Sequence, residues 1–354
     1  LDKRTPLATL TLVVAANAPD VDVLSYARGE FFALAFRRGI THGLPAQATL
    51  PFLVAGAVVA WDRFVRRRRF PDAPPVSPGQ ILFLAFVGVL THPVLDWMNV
   101  YGMRWALPFD GAWTYGDALF IIDPWLWLML GGGVFLSGAG SRIAWGILAV
   151  VATLLMAVGP VPPLASFVWV AGVLSVLLLA RGDASRGAAT RPRWARRALV
   201  LVSAYIVAMV AGTKLAARQV TAHATASGLA PMEVLLSPNA ADPFSAEVEV
   251  VTPDGYVPGV FSWTGRPRVA LRRADMVPFV TLPDNLDQAA ANLLMDAAER
   301  DPNVRAYLVW SRFPYRVVSR DGADWAVRYS DARYDGREGA GGLGGLTVRV
   351  PSAP

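Results

Sequence analysis

Cysteine is absent from the 354 residues, which excludes disulfides and thiolate metal sites alike. Charge is scarce: Asp, Glu, Lys and Arg make up 17% of the chain, where an ordinary soluble domain carries about 25%. Histidine is scarcer still, with three in all, so a site built on imidazole has few places to be. The shortage of charge is uneven. It falls almost wholly before residue 213, where apolar runs approach the roughly 20 residues that cross a hydrocarbon core. A formal charge of +6 does not point to nucleic acid, because the basic residues cluster in short loops between those runs. That pattern reports membrane orientation instead.

What is present is a series of seven apolar runs, at 6–18, 44–61, 81–98, 118–136, 143–158, 164–180 and 198–212, the first of them short. They predict a polytopic all-α transmembrane bundle over residues 1–213, followed by a soluble α+β domain over 214–354. The basic stretches 66–69 and 181–197 are both expected to be cytoplasmic. Four runs lie between them, an even number, so the two assignments agree. Propagated along the chain, they put 19–43, 99–117, 159–163 and everything after 213 outside. The expectation is a multi-pass inner-membrane protein with an extracytoplasmic C-terminal domain. Trp105, Trp113, Trp125 and Trp127 then lie near the outer face, where indoles are favoured.

After Lys214 the pattern changes. Residues 247–251 alternate polar and apolar, Pro253-Asp254-Gly255 signals a turn, and 257–263 reads as a partner strand. Residues 285–299 carry helical spacing. Segments 306–310, 315–319 and 325–329 read as strands, with Asp321-Gly322 as a hairpin turn and the Gly-rich 338–345 as a loop. His223 falls in the linker after the last run and suggests no special role. The domain carries no clustered His–carboxylate spacing, so it is expected to hold none of the chemistry.

The third run contains Thr91-His92-Pro93-Val94-Leu95-Asp96. Four residues apart on a helix, His92 and Asp96 project from one face, within reach of one metal ion, with Asn99 a further turn along. His42 precedes the second run. Asn17, Asp20 and Asp22 close the first, and Asp117 and Asp123 lie at the start of the fourth. The orientation puts all of these at the outer ends of their helices. An Asp left unpaired at the centre of a membrane helix costs about 2.5–3.5 kcal/mol, so Asp20, Asp96 and Asp123 call for partners. Imidazole and carboxylate without thiolate suit zinc, with manganese or iron as alternatives. Asn17 and Asn99 read as hydrogen-bond partners of ligands. Arg37, Arg38 and Arg104 run against the inside bias; they suit lipid headgroups or an anionic substrate equally.

The strings RRGITHG (37–43), THPVLDWMNVYGMRWALPF (91–109), FIIDPWLW (120–127) and NAPDVD (17–22) resemble the YdjM-like family of inner-membrane metal-dependent hydrolases. The resemblance covers most of residues 1–130. WSRFP (310–314) and SDARY (330–334) are similar to the tail of longer members. The family is grouped with zinc-dependent phospholipase C and the single-strand-specific zinc nucleases. The resemblance implies that His92 and Asp96 match the His-x-x-x-Asp of their zinc sites. It implies that His42 matches an earlier lone ligand, and that Asp20 or Asp22 matches a metal-binding Asp able to act as base. Family members open with a short helix bearing a Thr-His pair. This chain opens at Leu1-Asp2-Lys3-Arg4, so an N-terminal truncation, with loss of one ligand, is expected.

The expected function is a phospholipase C-like hydrolase acting through a metal-activated water on a phosphoester or other ester, lipid-like because the site lies at headgroup depth. Asp20 or Asp22 would orient or deprotonate the water, and Arg104 or Arg38 would neutralise substrate charge. Membrane lipids are the expected partners, and the oligomeric state is open. The alternative is a non-enzymatic transporter or a scaffold with a structural metal. A transporter needs polar residues at mid-membrane, and the last three runs have essentially none.

Overall fold

The apolar runs fold as helices whose ends are set by proline and by the few acidic residues. The computed structural model describes residues 4–138, 142–158, 163–183, 191–240, 242–334 and 341–351. Helix α1 (Ala8–Asn17) gives way at Pro19 to a 3-10 segment, Ala18–Arg28, and a short helix α2 (Glu30–Phe36) follows. Helix α3 (Leu44–Trp61) continues through a π-helical turn, Asp62–Arg66, into α4 (Arg67–Arg69). Asp62, 1% exposed, is paired there with Arg66 and Arg67. Helix α5 (Pro78–Trp97) starts on a proline, whose missing N–H costs nothing in a first turn. Then come α6 (Pro124–Leu136), α7 (Arg142–Val158), α8 (Pro163–Asp183) and α9 (Arg191–Ala226).

Among the described residues, three helices are long and apolar enough to cross a membrane: Leu44–Arg69, Pro78–Trp97 and Arg193–Ala226. Pro124–Leu136, Ile143–Val158 and Ala165–Arg181 are apolar but shorter. The fourth run, expected over 118–136, yields a helix only from Pro124, because Asp123 caps it with bonds from the Trp125 and Leu126 N–H groups. The last helix does not stop at residue 213. Its 36 residues span about 54 Å, well beyond a hydrocarbon core of about 30 Å. Ala216, Val220 and Ala224, four residues apart, continue its apolar stripe onto a β-sheet, and His223 lies in its last turn rather than in a linker.

Contacts divide the described chain differently from the domains expected at 1–213 and 214–354. One compact unit comprises Leu1–Tyr115, Asp254–Tyr256 and Val277–Pro354; the other comprises Gly116–Pro253 and Val257–Met276. The second unit holds α6–α9 and, from Val257 on in β3, a sheet in the order β1 (Glu233–Asn239), β2 (Asp242–Thr252), β3 (Gly255–Ser262), β4 (Val269–Leu271). Val248, Val250, Val257 and Phe261 of that sheet close over the end of α9.

The first unit has two cores. Ala15, Val54, Val58, Ile81, Ala85 and Val89 hold α1, α3 and α5 together. The second core belongs to the C-terminal fold. There β5 (Val277–Pro278) pairs with Gly255 and Tyr256, and β6 (Val280–Thr281) precedes α10 (Gln288–Ala298) and α11 (Pro302–Trp310). A sheet follows in the order β6, β7 (Pro314–Asp321), β8 (Asp324–Asp331), β9 (Leu346–Val350), parallel for β6–β7 and antiparallel beyond. Gly322, at φ 64, makes the β7–β8 hairpin turn. The strand expected at 306–310 is helix α11 instead. Asp301 caps it, Pro302 opens it, and Val304, Tyr307 and Trp310 are buried at a spacing of three. Leu34 of α2 joins this core.

Candidate metal centre

The end of α5 meets the start of α3, and α1 lies against α5. Gly88 permits that approach: a Cβ there would stand 2.6 Å from the Ala15 Cβ and 3.1 Å from the Leu12 carbonyl oxygen. One turn on, His92 donates from Nδ1 to the Ala16 carbonyl at 2.6 Å. His42, in the loop before α3, is fully buried. Its Nδ1 lies 3.2 Å from Asp22 Oδ2 and 3.0 Å from the Thr41 hydroxyl. Asp22 is fixed in turn. It accepts from the Thr41 hydroxyl at 3.0 Å, the Arg38 backbone N–H at 2.9 Å and Arg37 Nε at 3.2 Å.

Each imidazole therefore has Nδ1 tied to an acceptor, which leaves Nε2 as the lone-pair nitrogen. Both Nε2 atoms are buried and neither has a hydrogen-bond partner. The rings are 5.2 Å apart, centroid to centroid. Asp20 approaches with Oδ1 3.8 Å from His42 Nε2 and Oδ2 3.6 Å from His92 Nε2. Asp96 Oδ2 lies 3.4 Å from the first nitrogen and 3.5 Å from the second. Around a tetrahedral cation with bonds of about 2.0 Å, neighbouring ligand atoms stand roughly 3.3 Å apart. The spacing here is close to that, and one ligand atom each from Asp20, His42 and His92 fall within 4.8 Å of one another. Two orphaned, buried lone pairs beside carboxylates are the donor set a divalent cation fits.

Arg38 holds Asp96 with two prongs, Nε to Oδ2 and Nη2 to Oδ1, each at 2.9 Å. Its Nη1 donates to Asn99 Oδ1, also at 2.9 Å. Its backbone sits in the left-handed region at φ 53, which a non-glycine residue adopts at some cost. The turn aims its N–H at Asp22 and its side chain at Asp96. Burial works against the charged form of Asp22, but the His42 hydrogen bond and charge, with the Arg38 N–H and the Thr41 hydroxyl, hold its pKa below the ordinary 3.8. Burial likewise works against a charged His42, but its hydrogen bond to Asp22 and the charges of Asp22 and Asp96 raise its pKa above 6.5. A proton and a cation would compete for the same His42 Nε2.

The structure brings together Asp20, Asp22, Arg38, His42, His92, Asp96 and Asn99. It separates Asp20 from Asp22: Asp20, with a side chain 40% exposed, faces the Nε2 atoms, whereas Asp22, fully enclosed, faces Nδ1. Asn17 is not among them, since its Nδ2 bonds back to the Val13 carbonyl. The Arg104 guanidinium donates to the Ala35 carbonyl and lies 4.7 Å over the Trp113 ring. Asp117 and Asp123 belong to the second unit. Asp117 adopts φ 49, and Asp123 accepts from the Tyr205 hydroxyl at 2.7 Å besides capping α6. Arg37, expected as an anion or headgroup contact, bridges Asp20 at 3.3 Å and Asp22 at 3.2 Å. Thr41 and the Ala16 carbonyl carried no expectation. A hydroxyl beside a candidate ligand is a readable signal; a backbone carbonyl is not.

Residues 1–163 match the family model of the YdjM inner membrane protein. No curated protein matches the chain, and no solved structure matches it.

Proposed function

Taking residues 1–163 as a YdjM-family inner-membrane module, we propose that the chain is a metal-dependent hydrolase with its centre at the outer ends of α3 and α5. The observation that carries this reading is the pair of buried, unpartnered Nε2 atoms on His42 and His92, converging with Asp20 and Asp96. A divalent cation, zinc by donor chemistry, would supply a Lewis acid and a bound water of lowered pKa. His42, His92 and Asp20 would hold it, with Asp96 beside them. Asp22 keeps His42 in the tautomer that offers Nε2. Arg38 spreads its charge over Asp96 and keeps that carboxylate aimed at the two rings. Asp20 is the exposed carboxylate of the group, and so the one able to take a proton from a nucleophile arriving from solvent. Arg38, pinned between Asp96 and Asn99, is not free for a substrate anion, and Arg104 faces a carbonyl and an indole.

A phosphoester or other ester of lipid-like character is the substrate class, because the centre lies where a helix end meets headgroups. We place it on the outer face of the inner membrane, within a multi-pass bundle of about seven spans. The competing reading is a metal that serves stability alone. The test is elemental analysis of the purified full chain beside a His92→Ala variant, followed by assay on phosphodiester and carboxylester lipids. Near-stoichiometric metal, lost in the variant together with hydrolysis, is expected. Metal-free wild type, or full metal in the variant, would refute the centre. Bound metal with no hydrolysis of any such ester would leave the structural metal standing.

A further inference from the structure

Among the described residues the C-terminal fold supplies no ligand, yet within the first unit it grips the loop that backs Arg38. Tyr101 stands four residues after Trp97, the last residue of α5, and the Arg38 guanidinium lies 4.5 Å over its ring. The Tyr101 backbone N–H donates to Asn99 Oδ1 at 2.9 Å, the same oxygen that accepts from Arg38. Behind Tyr101 stands Trp310, the fully buried last residue of α11, with ring centroids 5.5 Å apart. Behind Trp310 the Arg333 guanidinium lies 4.9 Å from the indole. Arg333 is fixed by Asp331, through Nε at 2.9 Å and Nη2 at 2.8 Å, and its Nη1 donates to the Val100 carbonyl at 2.7 Å. Trp113 adds a second tie, donating from Nε1 to the Val309 carbonyl at 2.7 Å.

The order of contacts is thus Asp331, Arg333, Trp310, Tyr101, Arg38, Asp96. A guanidinium on a flexible stem holds a carboxylate in one place only if its own plane is held. Asn99 fixes one edge of the Arg38 plane and Asp96 another, but Tyr101 is the residue that covers its face. We propose that Tyr101 and Trp310 are positioning residues through which the C-terminal fold holds Arg38, and with it Asp96, in the geometry of the centre. The metal reading above enters only one of the two readouts that test this.

The experiment uses the full chain with Tyr101→Leu, Tyr101→Phe and Trp310→Phe. The first readout is hydrogen–deuterium exchange of residues 37–44. There the Arg38 N–H is bonded to Asp22, and the His42 and Gly43 N–H groups to the Gly39 carbonyl. The second is Zn²⁺ affinity by chelator competition. Tyr101→Leu is expected to speed exchange at 37–44 and to weaken Zn²⁺ binding by about 10-fold or more, the range seen when an outer partner of a ligand is lost. Tyr101→Phe keeps the ring face and is expected to restore both. Trp310→Phe, which leaves the sheet β7–β9 protected, is expected to speed exchange at 37–44 to a smaller degree. Unchanged exchange at 37–44 in Tyr101→Leu overturns the proposal, and so does a Tyr101→Phe as damaging as Tyr101→Leu. A wild type that takes up no Zn²⁺ defeats the metal reading alone, and the exchange comparison still decides this one.

Discussion

A buried carboxylate against the far nitrogen of a histidine does two things. It selects the tautomer that offers the near nitrogen, and it raises the basicity of that nitrogen. Asp22 stands in that relation to His42, and the Ala16 carbonyl stands in it to His92. Replacing Asp22 with Asn keeps the shape and removes the charge. Asp22→Asn is therefore expected to weaken metal binding by about 10–100-fold, against near-complete loss for His42→Ala. The same pair sets a pH dependence. The pKa of metal-free His42 is raised above 6.5, so its proton is held at higher pH than on a free imidazole. A bound metal would have to displace that proton, so affinity is expected to fall as pH drops, and to fall at a higher pH than an unperturbed histidine would dictate. Asp22→Asn removes a negative charge that raises the His42 pKa, so the fall should move to lower pH. Titrations of wild type and variant across pH 5–9 check this. A pH profile identical in the two would show that Asp22 does not act through His42.

At the scale of elements, the centre depends on how closely α1 can lie on α5. Gly88→Val places a Cβ within 2.6 Å of the Ala15 Cβ, a distance at which the helices must part. Overpacking of this kind costs about 1–3 kcal/mol. It should also lengthen the bond from His92 Nδ1 to the Ala16 carbonyl, so both thermal stability and metal affinity are expected to drop. A Gly88→Val protein that melts and binds metal as wild type does would mean that this contact is not tight. The same scale explains what is legible in the sequence. His92 and Asp96 share a face because four residues is one helical turn, a local fact. Asp20 and Asp22 could not be told apart, because they lie in a 3-10 segment whose facing is decided by His42 and Arg38, far along the chain. The Ala16 carbonyl left no trace, since backbone groups carry no residue signature. Depth alone groups Asp123 with the other acids, although Asp followed by Pro124 is also a helix-start signal. The same signal, Asp301-Pro302, marks α11, and the apolar character of 306–310 hid it behind a strand reading. The alternation of 247–251 and of the β7–β8 hairpin was legible because period two belongs to strands alone.

For the whole molecule the question is which side of the membrane the centre faces. Leu44–Arg69 is a continuous run of 26 residues, about 39 Å of helix, longer than a hydrocarbon core of about 30 Å. His42 stands just before one end of it and Arg66–Arg69 occupy the other, so the centre and the basic cluster belong on opposite faces. Basic clusters flanking spans stay in the cytoplasm. The expectation is then that the candidate centre, and the C-terminal fold that grips residues 100 and 101, face outside. Absence of cysteine makes this testable without background, because a single introduced thiol is the only one in the chain. Asp72, in the loop after Arg69, and Ala323, in the β7–β8 turn, are both exposed. In intact spheroplasts, a membrane-impermeant maleimide is expected to label Ala323→Cys and to leave Asp72→Cys untouched until the membrane is permeabilised. Labelling of Asp72→Cys alone would invert the topology. If both thiols were shielded until permeabilisation, the basic cluster and the C-terminal fold would share the cytoplasmic side. Leu44–Arg69 could then not be a full crossing, and a hydrolase working on the outer leaflet would have no centre there.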